Sequence, residues 1–174
     1  MDHEDSVPRL LSLDEASRLA QPPAVVQVGG DPVQLVEWEW WALSSDADQM
    51  ITDFGGLSPD DVELPAIQLS ANQLAFEFDA DFLPTAALFV GFADVGANGA
   101  PRTPLAPDHE IWCDFLDTQE CEVSMGWQEE RVQLSVPALE SWKVRFITIQ
   151  LEWALEQRIE SSPVLRATWV ARVE

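Results

Sequence analysis

The stretch Val36-Glu37-Trp38-Glu39-Trp40 decides how this chain folds. Its apolar residues recur at every second position with a carboxylate between each pair, so an extended backbone gathers the valine and both rings on one side and both acids on the other. A helix would scatter the same five side chains around its circumference. The stretch is read as a half-buried antiparallel strand, aromatic on one face and anionic on the other.

The same period of two continues toward the C-terminus. Ile67 and Leu69 alternate with Gln68 and Ser70, the Asn72 region reads as a turn, and Leu74, Phe76 and Phe78 follow opposite Glu77 and Asp79, which predicts a hairpin. Residues Ala87 to Val95 are more continuously apolar, as in a central strand, and run into a Gly-, Asn- and Pro-rich surface loop from Gly96 to Pro107. Ile111, Cys113 and Phe115 alternate again, as do Cys121, Val123, Met125 and Trp127, and after the polar turn Gln128 to Arg131 so do Val132, Leu134 and Val136. These are read as further hairpins. Val144 and Phe146 share one phase while Ile147, Ile149, Leu151 and Trp153 share the other, so this strand either slips at a bulge or is buried on both faces. Glu152, Glu156 and Glu160 at four-residue spacing keep a helix open as the alternative after Leu151. Leu165, Ala167, Trp169, Ala171 and Val173 opposite Arg166, Thr168 and Arg172 form a final strand.

Ahead of residue 24 the pattern is helical. Ser12 and Glu15 have capping-box spacing, Leu13, Ala16, Leu19 and Ala20 give an apolar stripe, and Pro22 and Pro23 stop the helix. Free helices this short are marginal in water, so the helix is expected to dock on the body. About eight to ten short strands with one terminal helix predict an all-β, mainly antiparallel fold, a β-sandwich or barrel-like domain over 24–174 with an N-terminal arm over 1–23.

Charge bounds the partners. The chain of 174 residues carries a net charge of -22, yet residues 1–130 hold 26 acids against 3 arginines while residues 131–174 hold 5 acids against 6 bases. An acidic surface of this size repels nucleic acid and anionic lipid and attracts cations over about 8 Å at physiological salt. With 47% hydrophobic residues, including 8 Trp and 8 Phe, the charge does not signal disorder. Lys143 is the single lysine, a bias that a GC-rich genome, a salt-rich cytoplasm or a cationic partner would each produce. The opening residues lack a basic stretch followed by an apolar one, and no apolar run reaches the length of a membrane span, so a soluble cytoplasmic protein is expected. In a reducing compartment Cys113 and Cys121 are small buried hydrophobes; if their strands pair about Asp117 in an oxidising one, they can bridge.

Acids at i and i+2 on a strand stand about 6.6 Å apart on one face. Glu37 with Glu39, Glu77 with Asp79 and Asp81, and Glu120 with Glu122 all have this spacing, and such rows suit a basic protein as well as they suit plain solvation. Trp38, Trp40, Trp127, Trp153 and Trp169 fall in the inward phase, whereas Trp41, Trp112 and Trp142 break it and are the candidate contact rings. Together these ten residues, Glu37, Glu39, Glu77, Asp79, Asp81, Glu120, Glu122, Trp41, Trp112 and Trp142, are the predicted partner-binding set. His109 with Asp108, Glu110, Cys113 and Cys121 matches no closed zinc pattern, and Asp46, Asp48 and Asp53 or Asp60, Asp61 and Glu63 lack EF-hand order, so no metal or cofactor is assigned. No nucleophile elbow or phosphate loop is present, and no catalytic residue is assigned.

The resulting expectation is a non-catalytic acidic protein-binding module of the inhibitor or immunity type, which draws a basic partner onto its acidic face by electrostatic steering. One alternative is a structural subunit of a phage or secretion-type particle that self-associates through its arm. A second is a β-sandwich hydrolase or carbohydrate-binding domain, which needs a concave pocket with Trp and two convergent carboxylates.

Overall fold

A computed structural model describes residues 7–18, 23, 25–43, 50–56, 64–68, 73–97, 99, 101–103, 106–117, 121–137, 142–156 and 164–174. Its strands are β1 (Val25–Val28), β2 (Asp31–Leu43), β3 (Met50–Gly56), β4 (Ala66–Ile67), β5 (Gln73–Phe78), β6 (Ala86–Phe92), β7 (His109–Asp114), β8 (Ser124–Gln128), β9 (Arg131–Pro137), β10 (Phe146–Ala154) and β11 (Val164–Val173), with one helix, α1 (Leu13–Arg18). The chain is all-β, and every pairing between strands is antiparallel except that of β4 with β11.

β2 is the corner of the molecule. Its first residues pair with β1, in a sheet that continues through β5 and β9 to β8, and the rest pairs with β11 and β3, in a sheet that runs through β10 and β6 to β7. Trp169 pairs with Leu35 and Thr168 with Glu37, so Val36 is an extra residue opposite β11. A bulge of this kind bends and twists a strand, and here it falls where β2 passes from one sheet to the other. The strands at the two ends of the order, β7 and β8, do not pair with each other, so the sheets do not close into a barrel among the described residues.

The inner faces meet in one core. Phe76 of β5 packs on Phe89 of β6 at 5.1 Å between centroids, and Phe78 meets Trp153 of β10 edge-on at 6.1 Å. Trp153 and Trp169 are both fully buried. The Trp153 indole donates to the Phe82 carbonyl at 2.9 Å, whereas Trp169 Nε1 has no hydrogen-bond partner among the described residues, which costs about 1–3 kcal/mol of desolvation that its ring packing must offset. β10 is buried on both sides: Ile147, Ile149, Leu151 and Trp153 enter the main core, while Phe146 joins Leu64, Val90, Phe92 and Val170 in a second cluster on the opposite face. The helical alternative after Leu151 is thereby set aside over the described residues, as β10 is a strand to Ala154.

Two predicted hairpins do not form. β4 joins β11 in one sheet while β5 lies between β1 and β9 in the other, and β7 and β8 likewise belong to different sheets. The alternation was correct about faces and silent about neighbours. Two tight hairpins do form. β1 and β2 turn on Gly29 and Gly30, both at positive φ, and β8 and β9 turn on Glu129 and Glu130 at φ 50° and 67°. Both central residues in the left-handed region match the twist of the flanking strands.

The arm docks. Ser12 and Glu15 form the capping box, with the Glu15 amide donating to Ser12 Oγ at 3.2 Å and the Ser12 amide to Glu15 Oε1 at 3.1 Å. Ahead of the helix, the Leu11 amide donates to the Ala154 carbonyl and the Glu156 amide to the Leu11 carbonyl, so Leu11 pairs beside the end of β10 and is buried, as is Ala16. Arg9 pairs with Glu15 and lies over the Phe82 ring, and it holds the Glu15 carboxyl down from 4.5 to about 2. Leu19, Ala20 and Pro22 of the predicted helix lie outside the described residues. No helix among the described residues is long and apolar enough to cross a membrane.

Candidate functional site

Among the described side chains, β7 is an edge strand that carries both an exposed aromatic ring and acids with no cation partner. Its residues alternate as the sequence requires: Ile111 and Cys113 turn toward the core, and Glu110, Trp112 and Asp114 are exposed. Trp112 keeps 51% of its surface open, and Leu116, just past the strand, is exposed as well. At about 3.3 Å per residue the ring stands roughly 6.6 Å from each flanking carboxylate along the strand. Asp114 Oδ1 accepts from the Leu116 amide at 3.0 Å and Asp108 Oδ2 from the Ala93 amide at 2.7 Å, contacts that fix the two ends of the strip and leave its charge in place. No cation among the described residues pairs with Asp108, Glu110, Asp114 or Asp117.

One end of this strand is tied across the molecule. Cys113 and Cys121 form a disulfide, with Cα atoms 5.4 Å apart, so of the two states the sequence leaves open the bridge is the one present, although β7 and β8 do not pair with each other. The bond joins β7, the last strand of one sheet, to the residues leading into β8, the last strand of the other. It also removes both sulfurs as ligands from the group considered for zinc. His109 stacks on the Trp142 ring at 5.1 Å and 12° between planes. Trp142 is half-buried against the core and lies over Gly91, where a Cβ would come within 2.7 Å of the indole, so this ring is a packing element more than a contact ring.

The remaining members of the predicted set are divided between the two sheets. Glu77 on β5 and Asp79 just beyond it face β9, whose Arg131 lies 3.6 Å from Glu77 and 3.1 Å from Asp79, while Gln133 donates to Glu77 at 3.1 Å. Asp81 and Glu122 are exposed, the latter ahead of β8. Glu37, Glu39 and Trp41 lie on β2 in the other sheet, where Glu37 is the register partner of Thr168 and Glu39 that of Arg166. Their side chains lie outside the described residues, as do Glu120, Asp46, Asp48, Asp60, Asp61, Glu63 and the side chain of Asp53.

Glu152 is a further carboxylate that alternation alone does not single out. It is nearly buried, and its Oε1 accepts from Arg166 at 2.9 Å and from Gln150 at 2.9 Å, so its charge is answered within the sheet. A shallow depression beside the arm is lined by Val7, Arg9, Leu11, Phe82 and Leu83 and brings no carboxylates together. The arrangement that can act on another molecule is thus the open strip on β7, where Glu110 and Asp114 join Trp112. Comparison of this chain with protein-family models, with curated proteins and with solved structures finds no match.

Proposed function

We propose that this chain is a non-catalytic acidic protein-binding module, of the inhibitor or immunity type, that engages a basic partner by electrostatic steering and seats it on the outer strip of β7. The carrying observation is the exposed Trp112 between two carboxylates that no cation among the described residues neutralises. Long-range attraction raises the encounter rate, and a large ring removed from water supplies the short-range stabilisation, the combination found at interface centres. The docked arm supports this reading over self-assembly through the arm, because Leu11 is already buried on its own body. The Cys113–Cys121 bridge favours an oxidising compartment, where such bonds persist, over the cytoplasm.

The test compares wild-type and Trp112→Ala baits, with bound proteins identified by mass spectrometry at about 50 mM and about 500 mM salt. Basic proteins are expected on the wild-type bait at low salt, reduced at high salt, and weakened by roughly thirtyfold or more with the alanine variant, the scale of a contact-centre tryptophan. The same proteins held equally by both baits would overturn the assignment.

A further inference from the structure

We infer that the outer edge of β7 receives an extended cationic segment of its partner as an added strand. This inference rests on the proposed function and specifies its geometry. β7 stands at the end of its sheet, and no strand among the described residues pairs with its outer side. Such an edge presents backbone N–H and C=O groups at regular spacing, which another extended chain can complete.

What separates β7 from β8, the strand at the opposite end of the order, is the coincidence of charge and ring on one strand. β8 reads Ser-Met-Gly-Trp-Gln and has no ionisable side chain of its own. β7 carries Glu110 and Asp114 on either side of Trp112. These acids act on the choice of occupant. A second copy of this chain, with its net charge of -22, would be repelled over the approach, and two β7 edges brought together would set carboxylates against carboxylates. A segment with Arg or Lys at alternate positions meets the same groups as opposite-charge cross-strand pairs. A guanidinium between them can also lie over the Trp112 face. The occupant that fits is therefore about five or six extended residues with cations at every second position, the length and period that match β7.

The experiment uses the full chain and two synthetic peptides of about eight residues, each alternating Arg with Val or Thr; one is unmodified and the other is N-methylated at each central amide, which keeps the charge and removes the backbone donors. Titration calorimetry is paired with amide chemical shifts over residues 109–114. The unmodified peptide is expected to bind and to shift those amides, and both N-methylation and the Glu110→Gln/Asp114→Asn variant are expected to weaken it by at least about tenfold. N-methylated peptide binding within about twofold of its parent would overturn strand addition while leaving a charge-seeking module intact. Binding that ignores the double variant would overturn the site itself, and loss of the basic proteins from the wild-type bait would distinguish that failure from failure of the broader reading.

Discussion

Glu77 with Asp79 and Glu110 with Asp114 are both pairs of acids in one phase of an extended chain, two residues apart in the first case and four apart around Trp112 in the second, and they end in opposite states. The first pair borders β9, which brings Arg131 and Gln133 against it. The second pair stands on a strand that has a neighbour on one side only, and no cation of the described chain reaches it. A carboxylate row in a sequence thus states a demand for positive charge, and the next strand in the sheet determines whether the chain meets that demand itself. β5 is satisfied from within. β7 is left to be satisfied from outside.

The largest expected effect tests what holds the open strip in shape. The Cys113–Cys121 bond closes a loop with a sequence separation of 8, and closing a loop of that length stabilises by about 2–3 kcal/mol in the chain-entropy account. The Cys113→Ser/Cys121→Ser variant is therefore expected to lose about that much in urea unfolding, with hydrogen-exchange protection falling first over β7 and the residues leading into β8. The β5–β9 pair has no covalent tie and should keep its protection. Equal loss at both places would remove the distinction between them.

The faces of this fold were legible from residue type, and the neighbours were not. Alternation in Val36 to Trp40, in Leu165 to Val173 and in Ile111 to Phe115 gives strands at those places, and the fully buried Leu165, Ala167, Trp169 and Ala171 show that the phase was read correctly for β11. The capping box at Ser12 and Glu15 is local chemistry and forms as spelled. Pairing is a long-range property. Nothing in residues 67–78 announces that β4 goes to β11 and β5 to β1, and nothing near Asp79 announces Arg131, which is 52 positions away. The strip on β7 was within reach of the same alternation that exposes Trp112, since Glu110 and Asp114 share its phase. A search for carboxylates at i and i+2 passes over two acids separated by a ring.

A smaller effect comes from creating on β5 the condition that β7 already has. Arg131→Ala leaves Glu77 and Asp79 without their cation. Arg131 and Glu77 are about one-third exposed and Asp79 is open to solvent, so the loss of stability is expected to stay within about 1 kcal/mol, the range of surface pairs. The informative readout is binding. If an unanswered acid pair were enough to make a site, this variant would acquire a second contact for the cationic peptide comparable to the first. The expected result is only a rise of about twofold in affinity at about 50 mM salt that vanishes at about 500 mM, because β5 lies between β1 and β9 and has neither an open edge nor an exposed ring. A stoichiometry of two would show that charge alone suffices.

The slightest change concerns a third acid, which the arm satisfies locally. Arg9 beside Glu15 lowers that carboxyl from 4.5 to about 2, with the Ser12 amide and hydroxyl adding to the effect. A depressed folded value means that the contribution is fully present above about 4.5 and is lost progressively as pH falls toward about 2. The arm meets the body through the Leu11 amide on the Ala154 carbonyl, so exchange at Leu11, corrected for its intrinsic rate, should accelerate across that window. Glu15→Gln should exchange faster from the start and show little of the pH dependence. The backbone hydrogen bonds of β7 run to β6 and not to the arm, so amides along β7 should not follow the same curve, and if they do, the transition belongs to the whole molecule and the separate standing of the three acid groups fails.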